Sequence, residues 1–129
     1  MKFSTKAEYG LKAMTNLAQC FPEQKTIGEI ANQENISQKY LERLMVILRD
    51  GGVVNSSKGK NGGYVLARIP KKIPVGEVIE LLDGEIAPMR CVGKFCSAQS
   101  KCPSSIVWNK LGVQIKKTLY DIKLDSLIK

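Results

Sequence analysis

The chain has 129 residues, 43% of them hydrophobic and 25% charged, with a formal charge of +8, four cysteines and no histidine. That length fits one compact domain and excludes two large ones. The missing histidines exclude Ser-His-Asp and Cys-His nucleophile pairs, His general bases and every His-containing zinc site, so an enzyme is not expected.

The positive balance suggests an anionic partner such as nucleic acid. It is uneven: residues 1–90 carry 13 basic and 10 acidic groups, and residues 91–129 carry 7 and 2. No apolar run approaches the roughly 20 residues that span a bilayer, and the opening MKFSTKAEYG lacks a signal-peptide pattern, so a cytoplasmic protein is expected.

Residues 5–20 place Leu11, Met14, Leu17 and Ala18 at the three-and-four spacing of one helical face. Ser4 or Thr5 can cap this first helix, Thr5-x-x-Glu8 fits a capping box, and Phe21-Pro22 ends it. A second box, Thr26-x-x-Glu29, opens a helix over 27–34 with Ile27, Ile30 and Ala31 facing a core. After Asn35-Ile36-Ser37, Ser37 can cap a third helix, QKYLERLMVILRD, with Leu41, Leu44, Met45 and Leu48 on one stripe until Gly51-Gly52 stops it. Two helices joined by so short a turn match a helix-turn-helix.

VVNSS and YVLAR then read as strands joined by the basic, glycine-rich KGKNGG, a hairpin wing. Pro70 and Pro74 bracket a linker. A fourth short helix, VGEVIELLDG, spaces Val75, Val78, Ile79 and Leu82 at three and four. Residues 84–104 have little periodicity, and a final helix runs to about residue 122. There Trp108, Leu111, Ile115, Leu119 and Ile122 form a stripe that, on a helix extending beyond a small domain, is expected to be a homodimer seam. The expected fold is therefore mainly α with a small β-hairpin wing: a winged helix-turn-helix over 1–83, a cysteine-rich loop over 84–104, and a long C-terminal dimerisation helix with a tail over 105–129.

At the start of the third helix, Gln38, Lys39, Tyr40, Glu42 and Arg43 can reach base edges or phosphates of double-stranded DNA. Gln can bond adenine in a bidentate manner, Lys or Arg can approach guanine acceptors, and Glu42 can accept from cytosine or repel wrong sequences. Lys58 and Lys60, among glycines at the wing tip, can approach the backbone or a minor groove. Each group also fits a merely solvated surface; their joint position favours a binding role. Tyr9 and Tyr64 can contact phosphate or pack as aromatics, and Cys20 reads as a structural cysteine.

The segment MRCVGKFCSAQSKCPSS places Cys91, Cys96 and Cys102 in a C-x4-C-x5-C array. Thiolates are soft ligands for iron–sulfur clusters or zinc, and Arg90, Lys94 and Lys101 lower thiol pKa values and offset cluster charge. The C-x-x-C knuckle usual for zinc is absent, and a redox disulfide with a spare thiol is the other chemistry open to these residues.

The chain resembles the IscR and NsrR family of iron–sulfur winged-helix transcription regulators over essentially its whole length. The resemblance rests on MKFSTKAEYGLKAM, ISQKYLERLMVILRDGGVV, GKNGGYVLAR, VGEVIELLDG and RCVGKFC with KCPSSIVW, in that order. It implies a DNA-binding homodimer whose three loop cysteines hold a cluster, 2Fe–2S ahead of 4Fe–4S, with a fourth ligand from another side chain. It further implies control of cluster-assembly genes or of a redox or nitrosative stress response.

Two features depart from IscR-type members, which have five residues in the first cysteine gap and a histidine three residues after the third cysteine. Here the gap is four and the matching position is Ser105. NsrR-type members use an acidic residue near the chain start, supplied across the dimer, and Glu8 falls there; the capping box explains Glu8 without any metal. Two other functions stand beside cluster sensing: a thiol- or zinc-switched DNA-binding regulator, and a small iron–sulfur carrier on a winged-helix scaffold.

Overall fold

The computed structural model describes residues 2–59, 62–88 and 103–128. Among these described residues, five α-helices and one hairpin follow in the expected order: α1 (Thr5–Cys20), α2 (Ile27–Glu34), α3 (Gln38–Asp50), β1 (Val54–Ser57), β2 (Gly63–Leu66), α4 (Val75–Asp83) and α5 (Ser105–Asp121). Short 3-10 turns at Pro70–Lys72 and Leu124–Leu127 precede α4 and follow α5. No helix among the described residues is long and apolar enough to cross a membrane.

The apolar stripes meet in one core. Met14 and Leu17 of α1, Ile30 of α2, Leu41, Leu44, Met45 and Leu48 of α3, and Val78 of α4 are all buried, as their spacing predicts. Leu11 and Ile27 are half-buried at its margin. α1 and α4 pack closely because Gly10 has no side chain: a Cβ there would lie 2.1 Å from Leu82 Cδ1.

Caps fix the helix starts. At α2 the reciprocal box is complete, with Thr26 Oγ1 accepting from the Glu29 N–H at 3.1 Å and Glu29 Oε1 accepting from the Thr26 N–H at 3.2 Å. Thr26→Ala is expected to lower the unfolding free energy by about 1 kcal/mol, measured by urea denaturation, because it strands a backbone donor. At α1 the box expected at Thr5 does not form. Ser4 is the cap and its Oγ accepts from the Ala7 N–H at 3.2 Å, so Thr5 is already helical and Glu8 stands one position too far along to reach back. The choice between Ser4 and Thr5 is made from outside the helix: Asp83, at the end of α4, accepts from the Ser4 N–H at 3.0 Å and from the Ser4 hydroxyl.

Asn35, in the left-handed conformation at φ 56°, ends α2 and turns the chain into α3 while Ile36 is buried beneath the turn. The hairpin pairs antiparallel in the register Val54↔Leu66 to Ser57↔Gly63. β2 is paired on its other edge too, because Lys25 and Tyr64 exchange backbone hydrogen bonds of 2.9 and 2.7 Å. That approach requires a glycine at 63, where a Cβ would stand 2.4 Å from the Lys25 carbonyl oxygen. The Lys25 ammonium donates to Asn16 Oδ1 at 2.6 Å and to Gln33 Oε1 at 2.7 Å, and Asn16 Nδ2 donates to Glu34 Oε2 at 2.7 Å. These bonds satisfy buried Asn16 and tie the wing's foot to α1 and α2.

The expected linker after the wing is a 3-10 turn, and the tail returns to it. The Val75 N–H donates to the Ile122 carbonyl at 2.8 Å and the Leu124 N–H to the Ile73 carbonyl at 3.0 Å, with Ile73 and Leu124 both buried. The α5 stripe divides accordingly. Ile115, Leu119 and Ile122 lie half-buried against the chain's own core, and Tyr120 fits against Gly76, where a Cβ would lie 2.2 Å from its ring. Trp108 is half-buried, whereas Leu111 is exposed. Alongside Leu111, the first turns of α5 leave Ile106 58%, Val107 56% and Val113 68% exposed.

Candidate nucleic-acid interface and thiol loop

The exposed face of α3 is the complement of its buried one. Lys39, Glu42, Arg43, Val46 and Arg49 recur at three and four residues and face solvent, opposite Leu41, Leu44, Met45 and Leu48. Among the described residues, Lys39, Glu42 and Arg43 have no ion-pair partner, leaving their polar groups free for a ligand. Gln38 is exposed, with its Oε1 beside Gly28 of α2, 3.6 Å from where a Cβ would be. Tyr40 differs from its neighbours. It is half-buried and meets Tyr9 of α1 edge to face, with ring centroids 5.9 Å apart and planes at 84°, so Tyr9 is an aromatic anchor for the first turn of α3. Ser37 Oγ accepts from the Tyr40 N–H at 3.4 Å and caps that turn.

Beside this face, a groove of about 350 Å³ runs between the hairpin and the start of α2, lined by Thr26, Arg49, Ser56, Ser57 and Lys58 among others. Ser57 Oγ donates to Gln24 Oε1 at 2.7 Å, and Lys58 is exposed at the tip. The groove combines two cations with hydroxyls beside glycine backbone, the chemistry that suits a phosphate chain. Val46, Arg49 and Ser57 did not stand out in the sequence. Continuing the three-and-four count from Lys39 and Arg43 reaches Val46 and then Arg49, but only the folded hairpin brings Ser57 to the groove that Arg49 lines. Lys60 lies outside the described residues. Tyr64 is half-buried against the core.

Cys91, Cys96 and Cys102, with Arg90, Lys94 and Lys101, also lie outside the described residues, between α4 and α5. No group of three or more metal-ligating side chains occurs among the described ones. Ser105, at the position where IscR-type members carry a histidine, is the buried first residue of α5. Glu8 projects from α1 with its side chain 64% exposed and, among the described residues, makes a 3.9 Å contact with Lys12 one turn on. It borders a groove of about 480 Å³ shared with Leu11, Thr15, Glu34 and Leu127. With the capping role gone, the Glu8 carboxylate is available to a ligand. Cys20 is half-buried, its Sγ 3.4 Å from the Glu23 carbonyl oxygen and 3.5 Å from that of Leu17, consistent with packing.

Where the thiol loop leaves α4, the carboxylate of Glu80 gathers three donors. Its Oε2 accepts from the Ile86 N–H at 3.1 Å and lies 3.7 Å from Lys116 Nζ, and its Oε1 accepts from the Tyr120 hydroxyl. Burial, reinforced by the hydrogen bond to Glu80, pushes the Tyr120 phenol up to about 12.

A family profile described as Rrf2, iron-dependent transcriptional regulator, matches residues 3–129. The solved structure of CymR from Bacillus subtilis, described as its global cysteine regulator, is 34% identical with a TM-score of 0.81, covering 98% of this chain and 95% of that one. The solved structure of IscR from T. potens is 38% identical with a TM-score of 0.77, covering 98% of this chain and 85% of that one. The transcriptional regulator IscR of Xenorhabdus nematophila is 34% identical over 131 residues, spanning all of this chain and 80% of its own length.

Proposed function

The chain belongs to the Rrf2 family of DNA-binding transcriptional regulators, not to an enzyme family, and from that premise we propose that it is a homodimer whose thiol loop reads iron–sulfur cluster status in the cytoplasm. The observation that carries this reading is the C-x4-C-x5-C array of Cys91, Cys96 and Cys102 between α4 and α5 of a winged-helix chain. The donor set fits such a cluster: three soft thiolates, a basic surround, and a carboxylate at Glu8 that caps no helix and is open to solvent. Carboxylate ligation suits ferric iron, and Glu8 would complete the set across the dimer. A bound cluster supplies a centre whose charge and occupancy change with oxidants, nitric oxide or iron supply.

The remaining work falls to the protein. The exposed apolar turns of α5, at Ile106, Val107, Leu111 and Val113 beside half-buried Trp108, supply the surface for a second copy. Two α3 helices then meet half-sites about one helical turn apart, with Gln38, Lys39, Glu42 and Arg43 at base edges and Lys58 and Lys60 along the backbone. Loading regulates only if it changes the affinity of these two helices for DNA, since equal binding to both arrangements shifts nothing.

The decisive experiment is iron and acid-labile sulfide analysis of anaerobically purified protein, with a visible spectrum and an operator titration before and after cluster removal. Matched iron and sulfide with a changed operator affinity are expected; replacing Cys91, Cys96 and Cys102 by Ala should abolish both. Glu8→Ala is expected to alter the spectrum and shorten cluster lifetime, and an unchanged spectrum and lifetime would remove Glu8 from the ligand set. A second reading, a thiol- or zinc-switched regulator without a cluster, is favoured by the likeness to CymR and by the departures in the first cysteine gap and at Ser105. Zinc without sulfide, or a reversible disulfide without metal, would establish it.

A further inference from the structure

The last turn of α4 carries two acidic residues, Glu80 and Asp83, at the helix end where the backbone dipole disfavours negative charge. Helix stability therefore does not account for them; their tertiary partners do. Glu80 holds Ile86, on the way to Cys91, against Tyr120 and Lys116 of α5. Asp83, three residues further along the same helix, holds both the backbone and the hydroxyl of Ser4. Five residues beyond Ser4, Tyr9 abuts Tyr40 in the first turn of α3. Hydrogen bonds at Glu80 and Asp83, the helical turns of α4 and α1 that carry them, and one ring contact thus connect the root of the thiol loop to the helix that faces DNA.

We infer that Asp83, through Ser4, α1 and the Tyr9–Tyr40 contact, is a positioning residue that transmits displacement of the thiol loop to the recognition helix of the same chain. The contact is specific to this task because α1 and α4 do not need it to stay together: Gly10 and Leu82 already pack them. Nor is Asp83 itself the cap of α1: the Ala7 N–H donates to Ser4 Oγ, and Asp83 engages the other side of Ser4 through its N–H and hydroxyl. Moving the end of α4 by a fraction of an ångström shifts α1 along its axis, and Tyr9 carries that shift to the turn bearing Lys39 and Glu42. This inference rests on the regulatory reading above for its signal, though not for its wiring.

The test measures operator affinity of the full chain, loaded and stripped of cluster, for the parent, Asp83→Ala, Asp83→Asn and Tyr9→Leu. Coupling of ordinary size gives the parent a loaded-to-stripped affinity ratio at least about fivefold from unity. Asp83→Ala should bring that ratio to within about twofold of unity while stripped-state affinity and the unfolding midpoint hold, and Tyr9→Leu should bring the ratio to the same range whatever it does to stripped-state affinity. Asp83→Asn, which keeps an acceptor for the Ser4 N–H, should preserve it. An unchanged ratio in Asp83→Ala overturns the inference; should Tyr9→Leu lower the midpoint, Asp83→Ala decides alone. If the parent's ratio is unity, cluster sensing fails, and amide exchange of the metal-free chain decides the wiring separately. Asp83→Ala should then speed exchange in residues 38–42 as well as 5–8, and acceleration confined to 5–8 overturns it.

Discussion

Leu44→Ala is expected to lower the unfolding free energy by about 2–5 kcal/mol, against a total of about 5–15 kcal/mol for a domain of this kind. Leu44 is 1% exposed on the inner face of α3, among Leu41, Met45 and Leu48. Truncation removes its transfer free energy and leaves a cavity that close-packed helices fill only in part. Urea unfolding at fixed protein concentration measures the loss; the fixed concentration matters because association adds apparent stability. The functional consequence exceeds the thermodynamic one. Leu44 adjoins Arg43 in the sequence, so a helix settling into the cavity tilts the face that reads DNA. Operator affinity should fall further than the unfolded fraction accounts for, and a fall equal to that fraction would show α3 to be held elsewhere.

Arg43→Ala is expected to weaken operator binding by about 1–3 kcal/mol, roughly 5- to 150-fold, and to relax preference at one base pair per half-site. Arg43 is exposed, has no ion-pair partner among the described residues, and lies on the outward face with Lys39 and Val46. Lys58→Ala supplies the contrast. A wing lysine on phosphate should weaken all sequences about equally and reduce the salt slope by about one, leaving the sequence preference intact. Titrations of an operator and a scrambled duplex at several salt concentrations separate the two. If both variants lose specific and nonspecific binding in the same proportion, Arg43 touches the backbone rather than a base.

Elements whose cause is local were legible in the sequence. The 3.6-residue stripes of α1 to α4, the Thr26 box and the turn at Asn35 to Ser37 are each written within a few residues, and all are present. Features with a distant partner were not. Ser4 rather than Thr5 caps α1 because a carboxylate 79 residues away selects it. Lys25 pairs with Tyr64, and Leu124 returns to the core, through contacts that no local period announces. The α5 stripe shows a related effect: three of its five residues, Ile115, Leu119 and Ile122, lie half-buried against their own chain's core, and Tyr120 beside them fits the space left by Gly76. At the site, the start of α3 was visible as a run of long polar side chains. Val46 was hidden by being apolar on a polar face, and Ser57 by lining the groove with Arg49 only once the hairpin has folded.

The pairing of residues 73–75 with 122–124 makes the stretch between them an excursion stapled at its foot. Because loop closure depends only weakly on length, residues can be gained or lost inside that excursion without moving either end of it. Under the proposed function, the segment can therefore vary in spacing and ligand set, as the four-residue first cysteine gap and Ser105 illustrate, while the winged helix-turn-helix keeps its shape. The fold thus separates the thiol loop from the DNA-facing helix, and allows the two to diverge at different rates.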